Sequence, residues 1–149
     1  MMSRRACILV AEDDTGVREL ICTRLMVAGY DTHTARNGRE AVQRAHTLKP
    51  DGIVLDINMP ELDGFAVLQE LAGERRLKNT PVLVLTARHA EEDVKRAISL
   101  GAKDFLTKPF NDGQLIARVA RLLRTPMVGP SGDSSDSRRI ANAQSAARA

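Results

Sequence analysis

The sequence predicts an α/β fold, a parallel sheet with helices on both faces. Three observations predict it. Short apolar runs alternate five times with longer segments in which apolar residues recur at three- and four-residue steps. The strongest runs, ILVA, GIVL and PVLVL, are too continuous for strands with one wet face and read as strands buried on both sides. Strict alternation of strand and helix implies βαβ units, whose strands lie parallel.

The first strand is read over Ala6–Ala11. The helix after it spans Thr15–Ala28, with Val17, Leu20, Ile21, Leu25 and Val27 or Ala28 toward the core. Asp14 is placed to cap it and Gly29 to stop it. Tyr30–Thr34 is a short strand. The second helix, Gly38–Leu48, carries Ala41, Val42, Ala45 and Leu48 on one face, with Asn37 as its cap and Pro50 beyond its end. Gly52–Asp56 is the third strand. Phe65–Ala72 is the third helix, opened by Asp63 or Gly64 and followed by Gly73.

Pro81–Thr86 is the fourth strand. The fourth helix, Glu91–Leu100, begins with three acids, which suit a helix amino terminus, and ends at Gly101. Lys103–Leu106 is a short fifth strand. Asn111–Arg124 is the fifth helix, with Leu115, Ile116, Val119, Leu122 and Leu123 on its inner side. Five such units in about 120 residues fit a flavodoxin-like, doubly wound (βα)5 fold, a five-stranded parallel sheet with five helices. The pattern does not give the strand order.

Residues 1–124 are expected to form this one domain. Residues 125–149 are rich in Gly, Ser, Asp and Ala, and read as a disordered tail or a truncated linker. The chain is 43% hydrophobic but only 3% aromatic, so its core is aliphatic. No run of about 18 apolar residues marks a membrane span, and the first residues lack a signal peptide's apolar region. Cys7 and Cys22 read as buried small hydrophobes in a reducing cytosol, which implies a cytoplasmic protein. The net charge is +3, and its basic residues are scattered without an aromatic stacking platform. Direct nucleic-acid binding by this chain is therefore not expected.

The chemistry gathers at strand ends. Glu12, Asp13 and Asp14 follow the first strand, Asp56 ends the third, Thr86 ends the fourth, and Lys108 follows the fifth. Parallel strands would bring these groups to one rim. Several carboxylates that close together need a cation. Oxygen ligands suit Mg²⁺, with Lys108 as a second positive charge. Such a site could stabilise a phosphoryl group in transfer, with Asp56 as nucleophile and Thr86 as a hydrogen-bond donor. His33, His46 and His89 show no ligand spacing, and Met59 reads as loop packing.

The segments ILVAEDD, PDGIVLDINMPELDGF, PVLVLTA and GAKDFLTKPF, with Gly29-Tyr30 and Asn37-Gly38, resemble the receiver domain of bacterial two-component response regulators. The resemblance spans residues 7 to 124. It implies that Asp56 accepts a phosphoryl group, that Glu12 and Asp13 hold Mg²⁺ with Asp56, and that the backbone carbonyl of Asn58 completes the metal site. It implies a switch role for Thr86 and Phe105 and a phosphate partner in Lys108. Asn58 and Arg88 fall where the family tunes the dephosphorylation rate.

The partners so implied are a sensor histidine kinase or a histidine phosphotransfer protein. Downstream, the resemblance implies a protein target or a missing output domain. The switched surface would be that of the fourth helix, fifth strand and fifth helix. Asp104 and Arg118 match one ion pair of the family's dimer, whereas Lys103 and Gln114 stand where acids are common, so a monomer or weak homodimer is expected. The chain is expected to be a phosphoryl acceptor with self-phosphorylation and autodephosphorylation chemistry, not a turnover enzyme. A haloacid dehalogenase-like phosphohydrolase would want an acid at the position of Asn58.

Overall fold

Each strand of the sheet is five residues or fewer; the three central strands are buried along nearly all of their length, whereas the two edge strands are largely half-buried or exposed. The structure is a computed structural model and describes residues 4–87 and 90–124. The elements alternate as β1 (Cys7–Ala11), α1 (Thr15–Val27), β2 (Asp31–Ala35), α2 (Gly38–Leu48), β3 (Gly52–Asp56), α3 (Gly64–Ala72), β4 (Val82–Thr86), α4 (Glu91–Ser99), β5 (Asp104–Thr107) and α5 (Asp112–Arg124). All strand pairs are parallel, in the order β2-β1-β3-β4-β5. The chain steps from β1 to one side, then crosses back to β3 on the other. The carboxyl ends of β1 and β3 therefore flank the point where the winding reverses, where open α/β sheets bind ligands.

Alternation along the strands divides the core into two layers. Ile8, Val10, Val54, Leu83 and Leu85 face a layer completed by Ile21 and Leu25 of α1 and Leu115, Val119 and Leu122 of α5. Leu9, Ala11, Ile53, Leu55 and Val84 face the other, with Ala41 and Ala45 of α2, Phe65, Val67, Leu68 and Leu71 of α3, and Ala97 of α4. Two covered faces explain why the strand sequences are nearly continuous in apolar residues.

The helix starts follow the expected chemistry. Asp14, Asn37 and Asp63 accept from the backbone N–H groups of Val17, Glu40 and Ala66, at 2.9, 2.8 and 2.9 Å. Asn111 and Gln114 form a reciprocal capping box at α5: each side chain accepts from the other's backbone N–H. Gly29 and Gly101, at φ of 102° and 112°, end α1 and α4 in the left-handed region. Gly64 is required by close approach, because a Cβ there would stand 2.6 Å from the Ile57 Cα and 2.9 Å from the Asp56 carbonyl oxygen. That contact seats the start of α3 directly against the end of β3.

Several expectations need correction. Leu20 and Val27 are exposed, not inward. Val17, Ile21 and Leu25 lie four residues apart and form the buried stripe of α1, so Leu20 and Val27 fall to its sides. Cys7 and Cys22 are half-buried, not buried. Strands β2 and β5 each begin one residue later than expected, because the parallel ladders pair Cys7 with Asp31 and Leu83 with Asp104. The boundaries of the other elements differ by one residue or none. Residues 125–149 lie outside the described residues.

Candidate functional site

Among the described residues, Glu12, Asp56 and Thr86 are the buried polar or charged side chains, and all three stand at the carboxyl ends of strands. Glu12 follows β1 directly, and its backbone N–H donates to the Ala35 carbonyl at 3.0 Å, extending the ladder to β2 by one step. Asp56 closes β3, opposite Leu85 of β4. Thr86 closes β4, opposite Thr107 of β5. Lys108 follows β5, and its N–H donates to the Thr86 carbonyl at 2.7 Å, so the lysine is hung from the same ladder.

Parallel pairing converts this spacing into contact. The Lys108 Nζ donates to Glu12 Oε1 at 2.8 Å and lies 3.5 Å from Asp56 Oδ2. Carboxylate oxygens of Glu12, Asp13 and Asp56 lie within 4.8 Å of one another. Asp13 is exposed, so the cluster opens to solvent on that side. Two loop N–H groups aim at the buried acids: Asp14 donates to Glu12 Oε2 at 3.2 Å and Asn58 to Asp56 Oδ1 at 3.1 Å.

Burial pushes the Glu12 carboxyl above the ordinary range; Lys108 opposes that shift and Asp56 adds to it. Burial draws the Lys108 ammonium down, but pairing with Glu12 and Asp56 outweighs it, and the net direction is upward. Three carboxylates against one ammonium leave an excess of negative charge. All available donors are oxygens, two of them on buried side chains. That set fits a hard divalent ion such as Mg²⁺, which takes carboxylates and fills its shell with water and phosphate oxygens.

The Thr86 hydroxyl adds a second sign of a ligand. Its Oγ1 is buried and, among the described residues, has no hydrogen-bond partner. A buried hydroxyl left so is costly, and an oxygen-rich anion at the rim would satisfy it. Phe105 lies further back on β5, half-buried against the layer of α2, α3 and α4, with the Arg118 guanidinium 5.7 Å from its ring centroid. Arg118 also donates to Asp104 at 3.1 Å, and Arg121 to the other Asp104 oxygen at 2.6 Å.

The structure thus brings together Glu12, Asp13, Asp56 and Lys108, with Thr86 and the Asn58 backbone at the same strand ends. Phe105 stands apart from them, and Arg88 and His89 lie outside the described residues. One residue was missed. Arg18 of α1 donates from Nη1 to the carbonyls of Glu12 and Asp13, at 2.9 and 3.3 Å. A basic residue one turn inside a helix that follows an acidic loop was the available signal.

The chain is similar to known proteins over most of its length. The family described as "Response regulator receiver domain" matches residues 8–120. The chain is 40% identical over 127 residues to the alkaline phosphatase synthesis transcriptional regulatory protein PhoP of Bacillus subtilis, covering 85% of this chain and 52% of that protein. It is 42% identical over 117 residues to the transcriptional regulatory protein CpxR homolog of Haemophilus influenzae, covering 78% of this chain and 50% of that protein. The chain therefore spans about half the length of these curated relatives. Among solved structures, the chemotaxis response regulator CheY4 of Vibrio cholerae superposes with a TM-score of 0.77 at 33% identity, covering 80% of this chain and 100% of that one.

Proposed function

The chain belongs to the response regulator receiver family, and on that premise we propose that Asp56 is its phosphoryl acceptor. The observation that carries this is the contact of a buried carboxylate with a cation and two further acids at the sheet's rim. A carboxylate oxygen of Asp56 attacks the phosphorus of a phosphohistidine in a sensor kinase or a histidine phosphotransfer protein. The N–P bond breaks, the imidazole leaves and takes a proton, and Asp56 becomes an acyl phosphate.

Glu12, Asp13, Asp56 and the Asn58 carbonyl would hold Mg²⁺, whose chemistry is to offset charge on the phosphoryl oxygens as they crowd the acids. Lys108 leaves Asp56 within reach while Glu12 keeps it tethered, so it can follow the new phosphate without crossing bulk water. The Thr86 hydroxyl, without a hydrogen-bond partner among the described residues, is ready to donate to a phosphoryl oxygen. Asp56 gains about two negative charges and three acceptor oxygens on modification. Drawing Thr86 inward vacates volume beside β5 that Phe105 can enter, which shifts the population of the α4-β5-α5 surface. Asn58 and Arg88 set how readily water reaches the acyl phosphate.

The product is a signal on the protein itself, so the chain acts as an acceptor and not as a turnover enzyme. The relatives are named as transcriptional regulators. For this chain we propose a protein target or an attached output domain as the reader of α4-β5-α5, in the cytoplasm. Asp104 is already paired with Arg118 and Arg121 within the chain, which favours a monomer or weak homodimer. Residues 1–124 form the receiver, and residues 125–149 serve as a tail or linker. Among the described residues, no helix is long and apolar enough to cross a membrane. The test is labelling with acetyl phosphate and Mg²⁺. Asp56→Asn should abolish it, and undiminished labelling would overturn the assignment.

A further inference from the structure

Neither helix stability nor ion pairing explains Arg18. It lies near the amino end of α1, where the helix dipole disfavours a cation, and α1 has no acid in its first turn to offset it. Its polar contacts among the described residues are the carbonyls of Glu12 and Asp13 and, at 3.4 Å, the Thr15 hydroxyl. No carboxylate pairs with it there. A helical side chain leans toward the helix amino terminus, so α1 returns this guanidinium onto the loop that precedes it.

The two acids of that loop are held very differently. The Glu12 side chain is fixed by Lys108 and by the Asp14 N–H. The Asp13 side chain is exposed and, among the described residues, has no hydrogen-bond or ion-pair partner. Only its backbone aims it at the cluster. Peptide units are planar, so fixing two successive carbonyls fixes the backbone at Asp13 and the direction of its Cα–Cβ bond.

We propose that Arg18 is a positioning residue of the divalent-cation site: by holding the Glu12 and Asp13 carbonyls with one nitrogen, it points the otherwise free Asp13 carboxylate at the ion. This rests on the reading that Glu12 and Asp13 hold Mg²⁺. The sign of its effect sets it apart from simple electrostatics. A cation beside a cation site repels the ion, so removing charge alone would tighten Mg²⁺ binding, whereas removing the clamp weakens it.

The experiment titrates Mg²⁺ into the full 149-residue chain, metal-free at the start, and follows backbone amide shifts. Arg18→Ala should weaken binding by about five- to tenfold, the loss of one or two hydrogen bonds from a charged donor. Arg18→Lys keeps the charge and several donors on one nitrogen, but its chain ends one bond short of the Nη1 position that reaches both carbonyls, and it should fall between. Amide exchange at Asp14 should speed up in metal-free Arg18→Ala, while its melting temperature stays within about 2 °C of the parent's. Acetyl-phosphate labelling should need more Mg²⁺ yet reach the same plateau. Unchanged or tighter Mg²⁺ binding by Arg18→Ala would overturn the proposal, as would weakening that merely tracks a fall in metal-free melting temperature. An unsubstituted chain that binds no Mg²⁺ would instead refute the metal site itself.

Discussion

At the amino-terminal ends of the strands, Arg4 meets Asp51 at 3.0 Å and Arg5 meets Asp31 at 3.9 Å, with the arginine side chains 76% and 64% exposed. At the carboxyl ends, Lys108 meets Glu12 at 2.8 Å with the glutamate side chain 1% exposed, and a second buried acid lies 3.5 Å away. The same charge types thus occupy the two ends of one sheet in opposite surroundings. The exposed pairs contribute roughly 0–1 kcal/mol each. The buried acids cost free energy to desolvate, and one ammonium does not balance them. Stability alone does not account for the second arrangement. It is what a site needs when its ligand brings charge of both signs, a divalent cation and a phosphoryl group.

The contrast can be broken at its strongest point first. Replacing both loop acids, Glu12→Gln with Asp13→Asn, should weaken Mg²⁺ binding by more than the roughly 10- to 100-fold typical of outer-shell changes. Titration calorimetry giving a loss under tenfold would remove the metal from this rim. A smaller effect should come from the lysine. Metal-free Lys108→Ala leaves Glu12 and Asp56 facing each other without a cation. Because the ammonium is about a third exposed, the cost should be only about 1–2 kcal/mol in urea unfolding. Saturating Mg²⁺ should restore part of that loss, and Arg4→Ala at the far end should stay within about 0.5 kcal/mol. Equal effects at the two ends would erase the distinction.

The smallest effect concerns Lys103, at the amino end of β5. Burial holds its ammonium below the ordinary value of 10.5. The folded chain therefore releases this proton at lower pH than the unfolded chain does. Stability from this group should rise as pH climbs through the folded-state value toward 10.5. Lys103→Met should remove that rise and lift the neutral-pH melting temperature by about 1–2 °C at most. A melting temperature that falls would show that the ammonium is satisfied in the fold.

Much of the site was legible because parallel strands make the rim a local property of each strand end. Asp56, Thr86 and Lys108 could be placed by asking what residue ends or follows each apolar run. Strand order was not legible, since pairing β1 with both β2 and β3 depends on contacts distant in sequence. Nor was the exposure of Leu20 and Val27. Helical spacing marks a broad apolar face, but the stripe through Val17, Ile21 and Leu25, with Cys22 beside it, is what packs into the layer shared with the sheet and α5. Gln114 was read against a dimer interface and instead caps its own helix. Arg18 escaped notice because its partners are backbone carbonyls, which no residue pattern announces.

The most direct test of the central claim is where the phosphoryl group sits. After acetyl-phosphate treatment with Mg²⁺, borohydride reduction should convert an aspartyl phosphate to homoserine, and peptide mass spectrometry should place it at position 56 alone. Homoserine at Asp13 or elsewhere, with Asp56 unmodified, would contradict the account.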